Sequence, residues 1–267
     1  MNSRHRIMVA GSALLLGAGV ASPAMAQMAP GSWSISVSGG GSVAVGGTMH
    51  GGANAPVANL GALNPALAGI PATLQIQERS QNDVYDTGWS IGGEIGYALS
   101  DSGEALLGVR YLKANGNRIN VGAAAAGAPV NAALPVFGDF GNYEALSIEV
   151  GYRQYLGTTG GVKPFVSARA GTTRISGISA NFTVPDAGIA LNNVPFSKAS
   201  WVFSGGAALG VSVPLGETIS LEPEVGIHYA DGAKGNDAAL GGLGLGGIND
   251  KGQRWSVPIS LRLKVAL

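Results

Sequence analysis

The last thirteen residues, 255–267, alternate between apolar and mainly polar side chains without a break. Trp255 and the Val, Ile and Leu residues at every second position form one set, whereas Arg262 and Lys264 belong to the other. Successive side chains of a strand point to opposite faces of its sheet. The pattern therefore predicts a strand with one wholly apolar face and one mainly polar face.

Seven earlier segments show the same alternation, and Gly is abundant at 44 residues, which favours turns and curved sheets over helices. The sequence thus predicts an all-β chain of eight strands. Their predicted bounds are 32–45, 84–98, 104–115, 143–156, 163–176, 198–214, 218–230 and 252–267.

The connections between these strands alternate in length. Short turns at 99–103, 157–162 and 215–217 separate long loops at 46–83, 116–142, 177–197 and 231–251. An even strand number with short periplasmic turns and long outer loops is typical of outer-membrane barrels. We therefore expect an eight-stranded antiparallel up-and-down transmembrane β-barrel. Brief alternation at 73–77 leaves open an extra strand pair within the first loop.

Charges within the strands fall almost wholly on the face opposite the apolar one. An Arg or Lys that faces lipid at mid-depth costs about 2–4 kcal/mol, so we expect the charged face to line the lumen. Because eight strands enclose just enough room for side chains, the charges predict a plug of Glu/Arg pairs, with Glu94 beside Arg110 and Glu149 opposite Arg169. The expected lumen network is Glu94, Arg110, Glu149, Arg153, Arg169, Glu222, Glu224 and Arg262.

Aromatic residues of the apolar face form two levels if both chain ends lie in the periplasm. Such levels are expected where amphipathic rings sit among lipid headgroups. A soluble barrel would instead turn its apolar face inward, and alternation alone does not separate the two. The expected girdles are Trp89, Tyr111, Trp201, Phe203, Tyr229 and Trp255 at the outer level, and Trp33, Tyr97 and Tyr152 at the inner level.

Composition excludes several classes of protein. Cysteine is absent, which excludes a disulfide framework, a thiol nucleophile and a Cys-ligated metal site. The 16 Lys and Arg residues are scattered and the net charge is zero, which argues against nucleic-acid binding. After residue 26, no apolar run approaches the roughly 18 residues of a spanning helix.

The first 26 residues have the order of a secretory signal peptide. Arg4 and Arg6 precede an apolar stretch at 7–20, and Ala24-Met25-Ala26 is a small-x-small cleavage motif, with cleavage expected after Ala26. We expect residues 27–267 to form the mature barrel domain in the cell outer membrane.

Together these features resemble the small outer-membrane barrels of Gram-negative bacteria: the OmpA transmembrane domain, OmpX and opacity-type surface proteins. The resemblance covers nearly the whole mature chain and rests on architecture more than on a diagnostic motif. It implies outer-membrane lipid, lipopolysaccharide and the barrel-assembly machinery as partners. Leu267 departs from the terminal aromatic residue that is usual in such barrels.

Candidate chemistry is sparse, and we predict neither a catalytic residue, a cofactor nor a metal site. The glycine pattern at 242–247 matches a dinucleotide motif but follows no βαβ unit, so the match is accidental. His228 shares a face with Glu224, yet local sequence supplies no nucleophile beside it.

The sequence thus favours a non-enzymatic surface protein with a structural or adhesive role. A narrow porin-like channel and a soluble periplasmic ligand-binding barrel remain alternatives. The loops are rich in Ala, Gly and Asn, so we expect them to bury little and to be mobile. Apolar loop tips such as 66–70 are candidate contacts with host or neighbouring cell surfaces.

Overall fold

A computed structural model describes residues 29–157, 161–250 and 252–267 of the chain. The expected signal peptide lies outside the described residues. Within these residues, one short α-helix, α1 (Gln81–Val84), and four single-turn 3-10 helices accompany sixteen strands. The strands are β1 (Trp33–Gly46), β2 (Thr48–His50), β3 (Ala53–Val57), β4 (Ala72–Ile76), β5 (Arg79–Ser80), β6 (Gly88–Ala98), β7 (Gly103–Ala114), β8 (Arg118–Ala126), β9 (Ala132–Phe140), β10 (Tyr143–Tyr155), β11 (Lys163–Ile175), β12 (Ile178–Val184), β13 (Ile189–Ser197), β14 (Ser200–Pro214), β15 (Ile219–Ala230) and β16 (Arg254–Ala266).

Eight of these strands close into an antiparallel barrel in the order β1-β16-β15-β14-β11-β10-β7-β6. Closure occurs between the first and last strands, where Ser34 lies opposite Ala266 and Val43 lies opposite Val257. The eight-stranded up-and-down fold predicted from alternation is confirmed. We call the end with the short turns the inner end and the end with the long loops the outer end.

The largest difference in strand bounds is at the start of β6, which begins at Gly88 rather than residue 84. Residues 81–84 form α1 instead, because Ser80 and Asp83 make a capping box at its start. The Ser80 amide and hydroxyl both donate to the Asp83 carboxylate, at 2.9 and 2.5 Å. Local capping therefore competes with strand extension at this point.

The two faces of the barrel strands differ sharply in exposure. On β10, Ser147, Glu149 and Arg153 are buried inside the barrel, whereas Ile148 and Val150 are exposed on its outer surface. The same division holds on β16, where Arg262 and Lys264 are buried. The lumen is therefore charged and the outer wall is apolar.

The long loops form a second structure over the outer end. β13, β12, β9, β8, β4 and β3 pair in that order to make a six-stranded sheet, and β2 pairs with β5. We call the loop residues 47–87, 115–142, 176–199, 231–250 and 252–253 the cap. The extra strand pair left open by the sequence is β3 and β4, in which Ala53 lies opposite Ile76.

An apolar core lies beneath the cap sheet. Val84, Val121 and Phe196 are almost fully buried there, and the core continues into Leu112 and Ile175 at the outer ends of barrel strands. The expectation that the loops bury little is wrong. Small residues such as Ala124 and Ala180 are buried in this core and do not mark an open loop.

Among the described residues, no helix is long and apolar enough to cross a membrane.

Candidate functional site

The centre of the lumen is occupied by Arg153, whose side chain is only 1% exposed. Its guanidinium lies 2.6 Å from Glu94, 3.0 Å from Glu104 and 3.5 Å from Glu222, measured between nitrogen and oxygen. These carboxylates come from β6, β7 and β15, so one arginine of β10 spans the barrel. Charged hydrogen bonds of this kind are the stronger class, and burial makes each partner necessary.

Lys264 forms a second centre towards the inner end. Its ammonium donates to Glu104 at 2.7 Å and to the Tyr155 hydroxyl at 2.9 Å. That hydroxyl donates in turn to Glu222 at 3.1 Å, and Ser34 donates to Glu104 at 2.5 Å. The inner lumen is therefore crosslinked by hydrogen bonds from five strands.

Arg169 and Arg262 link Glu94 and Glu222 to a further carboxylate, Glu224, at mid-depth. Arg169 lies 2.8 Å from Glu94 and 3.3 Å from Glu224, and Arg262 lies 3.3 Å from both Glu222 and Glu224. Each of these five charged residues therefore has at least two partners. Together with Arg153 they form one connected layer across the barrel.

Glu149 and His228 form a separate group towards the outer end. Glu149 lies 2.8 Å from the His228 Nε2 and accepts a hydrogen bond from Ser204 at 2.8 Å. With Ser204 from β14, every barrel strand contributes a side chain to the lumen contacts.

Two pairs expected from hairpin geometry do not form. Glu94 lies opposite Gly108 and contacts Arg153 and Arg169 instead of Arg110, which lies opposite Gly92. Glu149 contacts His228 instead of Arg169, because Arg169 points to the inner layer. The length of a turn predicts which residues lie opposite each other on adjacent strands. The observed ion pairs instead cross the lumen, because long side chains reach strands that are not adjacent.

Glu104 and Lys264 were missing from the expected network although both belong to it. Lys264 lies on the same face of its strand as Arg262, so the alternating pattern already indicated a side chain in the lumen. Glu104 stood at the first position of its predicted strand, where face assignment is least certain. Gly96 makes room for it, since a Cβ at that position would collide with the Glu104 carboxylate.

Arg254 enters the outer lumen from the start of β16 and is 2% exposed. Its guanidinium carbon lies 4.7 Å from the ring centre of Tyr143 and 5.7 Å from that of Tyr85. Within the described residues its three nitrogens have no hydrogen-bond partner. Stacking on two tyrosine rings is thus the contact that holds this charge at the junction of barrel and cap.

Two cavities lie in the barrel on either side of the charged layer. One of about 80 Å³ is lined by Arg110, Glu149 and His228 towards the outer end, and one of about 320 Å³ is lined by Tyr155 and Lys264 at the inner mouth. In the described part of the chain they have no lining residue in common. The layer around Arg153 separates them.

The expected girdle residues lie on the outer wall at two levels. Trp33 and Tyr97 pack at the inner level with ring centres 4.9 Å apart. At the outer level Trp89 packs with Tyr111 at 5.6 Å, and Tyr229 packs with Trp255 at 4.8 Å. Trp201, Phe203 and Tyr152 are exposed on the same wall.

His50 is the histidine of the cap and is 2% exposed. Its Nδ1 lies 2.9 Å from the Gly51 carbonyl, so this nitrogen carries the proton and donates. Burial lowers the pKa of the His50 imidazole, while the hydrogen bond to Gly51 partly opposes that shift. The ring is therefore held neutral, and it packs against the aromatic rings of Phe140 and Phe196.

The described residues hold no cluster of three or more His, Cys, Asp or Glu side chains that could bind a metal ion. The imidazole of His228 binds the carboxylate of Glu149, not that of Glu224 as the shared face had suggested.

No model of a protein family matches the sequence, and no curated protein matches it. The fold is similar to that of neisserial surface protein A, with 15% identity over 87% of this chain and 96% of that one, at a TM-score of 0.43. OprG from Pseudomonas aeruginosa has 14% sequence identity over 89% of this chain and 98% of its own, at a TM-score of 0.38. Ail of Yersinia pestis, in complex with the heparin analogue sucrose octasulfate, has 8% sequence identity over 88% of this chain and 99% of its own, at a TM-score of 0.36.

Proposed function

We propose that this chain is an outer-membrane surface barrel with a structural or adhesive role and a closed lumen. The carrying observation is the distribution of charge on the barrel wall. On the described barrel strands, the charged residues that face outward are Lys113, Glu144 and Arg174. All three lie within two residues of the outer end, and below them the outward face of the described strands carries no charge down to the inner girdle.

This distribution has a physical cause if the wall faces lipid. Lys113 and Glu144 pair across strands at 2.9 Å at the rim, where headgroups and water solvate charge. Exposed Val37, Val150 and Leu209 occupy the band below. Such a large apolar surface would be a liability in water, whereas a bilayer solvates it.

The charged lumen argues against the soluble alternative. A periplasmic barrel that holds an apolar ligand needs an apolar interior, yet Glu104, Arg153 and Glu222 fill this one and are 0–1% exposed. The same layer supports a closed barrel over a porin-like channel, because it separates the two lumen cavities.

The cap supports the adhesive part of the proposal. A six-stranded sheet holds its loop tips in fixed positions, which lowers the entropy lost when a surface is bound. At one tip, Ala66 and Ala68 are exposed beside half-buried Leu67. The proposed partner class is a host or neighbouring cell surface that this apolar tip contacts.

The lipid-facing wall is tested by Val150→Arg, with Leu156→Arg as the matched control. Val150 is 62% exposed in mid-strand, and Leu156 is 54% exposed just beyond the inner end of β10. In lipid, the first substitution should cost about 2–4 kcal/mol and the second about 0–1. Heat-modifiable gel mobility of the membrane fraction measures how much of each variant is folded. If the two variants fold equally well and are recovered in the aqueous periplasmic fraction, the membrane assignment is overturned.

The adhesive role is tested by Ala66→Asp with Ala68→Asp, against Ala132→Asp with Ala133→Asp on the β8–β9 hairpin. Both pairs are exposed alanines, so neither should impair folding. We expect the first pair to lower attachment of whole cells to host-cell monolayers and the second to leave it unchanged. If both double variants attach like the unaltered protein, the apolar tip is not an adhesive surface.

A further inference from the structure

All four long loops converge on one cavity inside the cap, well apart from the charged lumen. Leu60, Val121, Phe182 and Leu243 line it, and each comes from a different loop. Its volume is about 70 Å³. In the described part of the chain it has no lining residue in common with either lumen cavity.

The walls of this cavity are almost wholly apolar. Aliphatic side chains of β4, β8 and β13 surround it with the rings of Phe182 and Phe196, and His50 is the polar side chain among the described lining residues. Protein interiors are normally packed with few voids larger than a water molecule. An apolar cavity does not attract water, and one of about 150 Å³ accepts a small apolar molecule such as benzene or xenon. The smaller volume of this cavity limits its occupant to at most one ring.

His50 adds one point of polar recognition. Because Nδ1 donates to the Gly51 carbonyl, the neutral ring leaves Nε2 as an acceptor. Among the described residues no group donates to Nε2. Ligand pockets commonly combine apolar walls with a few polar groups that fix orientation.

We infer that the cap is a binding site for one small apolar molecule, no larger than a single ring, that carries a hydroxyl donor for His50. This inference goes beyond a structural or adhesive role, because it assigns a ligand to the interior of the cap. It is independent of the lumen, so a closed barrel and an occupied cap are compatible.

Methyl NMR of the full barrel in nanodiscs, titrated with phenol, tests the site directly. The Ile76 and Ile189 methyl groups belong to cavity residues, whereas Ile91 and Ile259 are exposed on the outer wall. The expected result is a saturable shift of the first two and a linear, non-saturating shift of the second two as phenol enters the lipid. Linear shifts at all four positions would overturn the proposal.

Ala124→Leu fills the cavity and Ala125→Leu is its matched control. Ala124 lines the cavity and is 3% exposed, whereas Ala125 points to the other face of β8. We expect Ala124→Leu to weaken phenol binding at least tenfold and Ala125→Leu to leave it unchanged. Ala124→Val serves as the milder filling if the Leu variant loses its heat-modifiable fold. Equal binding by folded filling and control variants would contradict the assignment.

The hydroxyl preference is tested by comparing phenol with toluene. A hydrogen bond to His50 predicts about fivefold tighter binding of phenol in the unaltered protein. His50→Phe should remove that difference while still binding toluene. If phenol and toluene bind alike before the substitution, the cavity is purely hydrophobic and the role given to His50 is wrong.

Discussion

The lumen and the cap are two interiors of one chain that are held together by different forces. In the lumen, Arg153 and its neighbours satisfy one another through charged hydrogen bonds, and apolar side chains point away to the outer wall. In the cap, Val84 and Phe196 pack in an apolar core. The comparison shows that one chain reverses the usual arrangement of inside and outside where its surroundings change.

The energetic consequences also differ. A buried ion network is costly to break but adds little net stability, because desolvation offsets the attraction between its charges. An apolar core stabilises in proportion to the surface it removes from water. We therefore expect the lumen to respond to loss of a partner and the cap to respond to loss of volume.

Arg153→Met should produce the largest effect. It leaves Glu94, Glu104 and Glu222 without a central cation, and a broken buried network of this kind costs about 3–5 kcal/mol. The free energy of unfolding in lipid vesicles, from urea titration, measures the loss.

Arg110→Met is the matched control for that experiment. Arg110 also faces the lumen, but among the described residues it makes no hydrogen bond or ion pair closer than 4 Å. Its substitution should be nearly neutral. Similar losses for Arg110→Met and Arg153→Met would show that lumen charge matters only as a total and not through specific partners.

Phe196→Ala should loosen the cap and leave the barrel intact. Phe196 packs against Phe140 with ring centres 5.3 Å apart, and its truncation should cost the cap about 3 kcal/mol. Amide hydrogen exchange should rise in β12 and β13 but not in β10. Phe203→Ala, on the exposed outer wall, provides the control; faster exchange throughout the barrel would show that cap and barrel unfold as one unit.

Acidification should destabilise the cap through His50. Because burial lowers the pKa of His50 below its ordinary value of 6.5, the unfolded cap binds protons more readily than the folded cap. The stability contributed by the neutral ring is complete above pH 6.5 and declines as the pH falls below that value. Hydrogen exchange of β12 and β13 between about pH 7.5 and 5 follows the decline.

His50→Phe separates this effect from the titration of Asp83 or His228. The variant should show cap exchange that changes little with pH over the same interval. A pH dependence that persists in His50→Phe would assign the sensitivity to another group.

The smallest effect is expected from the rim pair. Lys113 and Glu144 are about one-third exposed at their side chains, so water and salt screen their attraction. Glu144→Gln should leave the free energy of unfolding almost unchanged. A loss as large as that of Arg153→Met would mean that the rim is not solvated, contrary to its place at the edge of the apolar wall.

The barrel was predictable from sequence because its signal is local. Alternation along β16 fixes the face of Arg262, and turn residues fix the strand ends. The cap was not predictable in this way, because its sheet pairs segments from three different loops. For example, Ala72 of β4 lies opposite Ala126 of β8. Its alanine-rich strands also lack the contrast between faces that marks the barrel strands.

The lumen partners fall between these two cases. Alternation placed Glu94, Glu149, Arg153 and Arg169 on the inner face, where the structure also places them. It did not identify which charges meet, since contacts across a closed barrel depend on side-chain length and on the strands that lie opposite.

Single-channel recording of the purified barrel in planar bilayers tests the closed lumen most directly. The layer of Arg153, Arg169 and Arg262 with its carboxylates separates the outer and inner cavities, so we expect insertion without steady conductance. Steady openings of the unaltered protein would contradict it and would assign the chain to the channels.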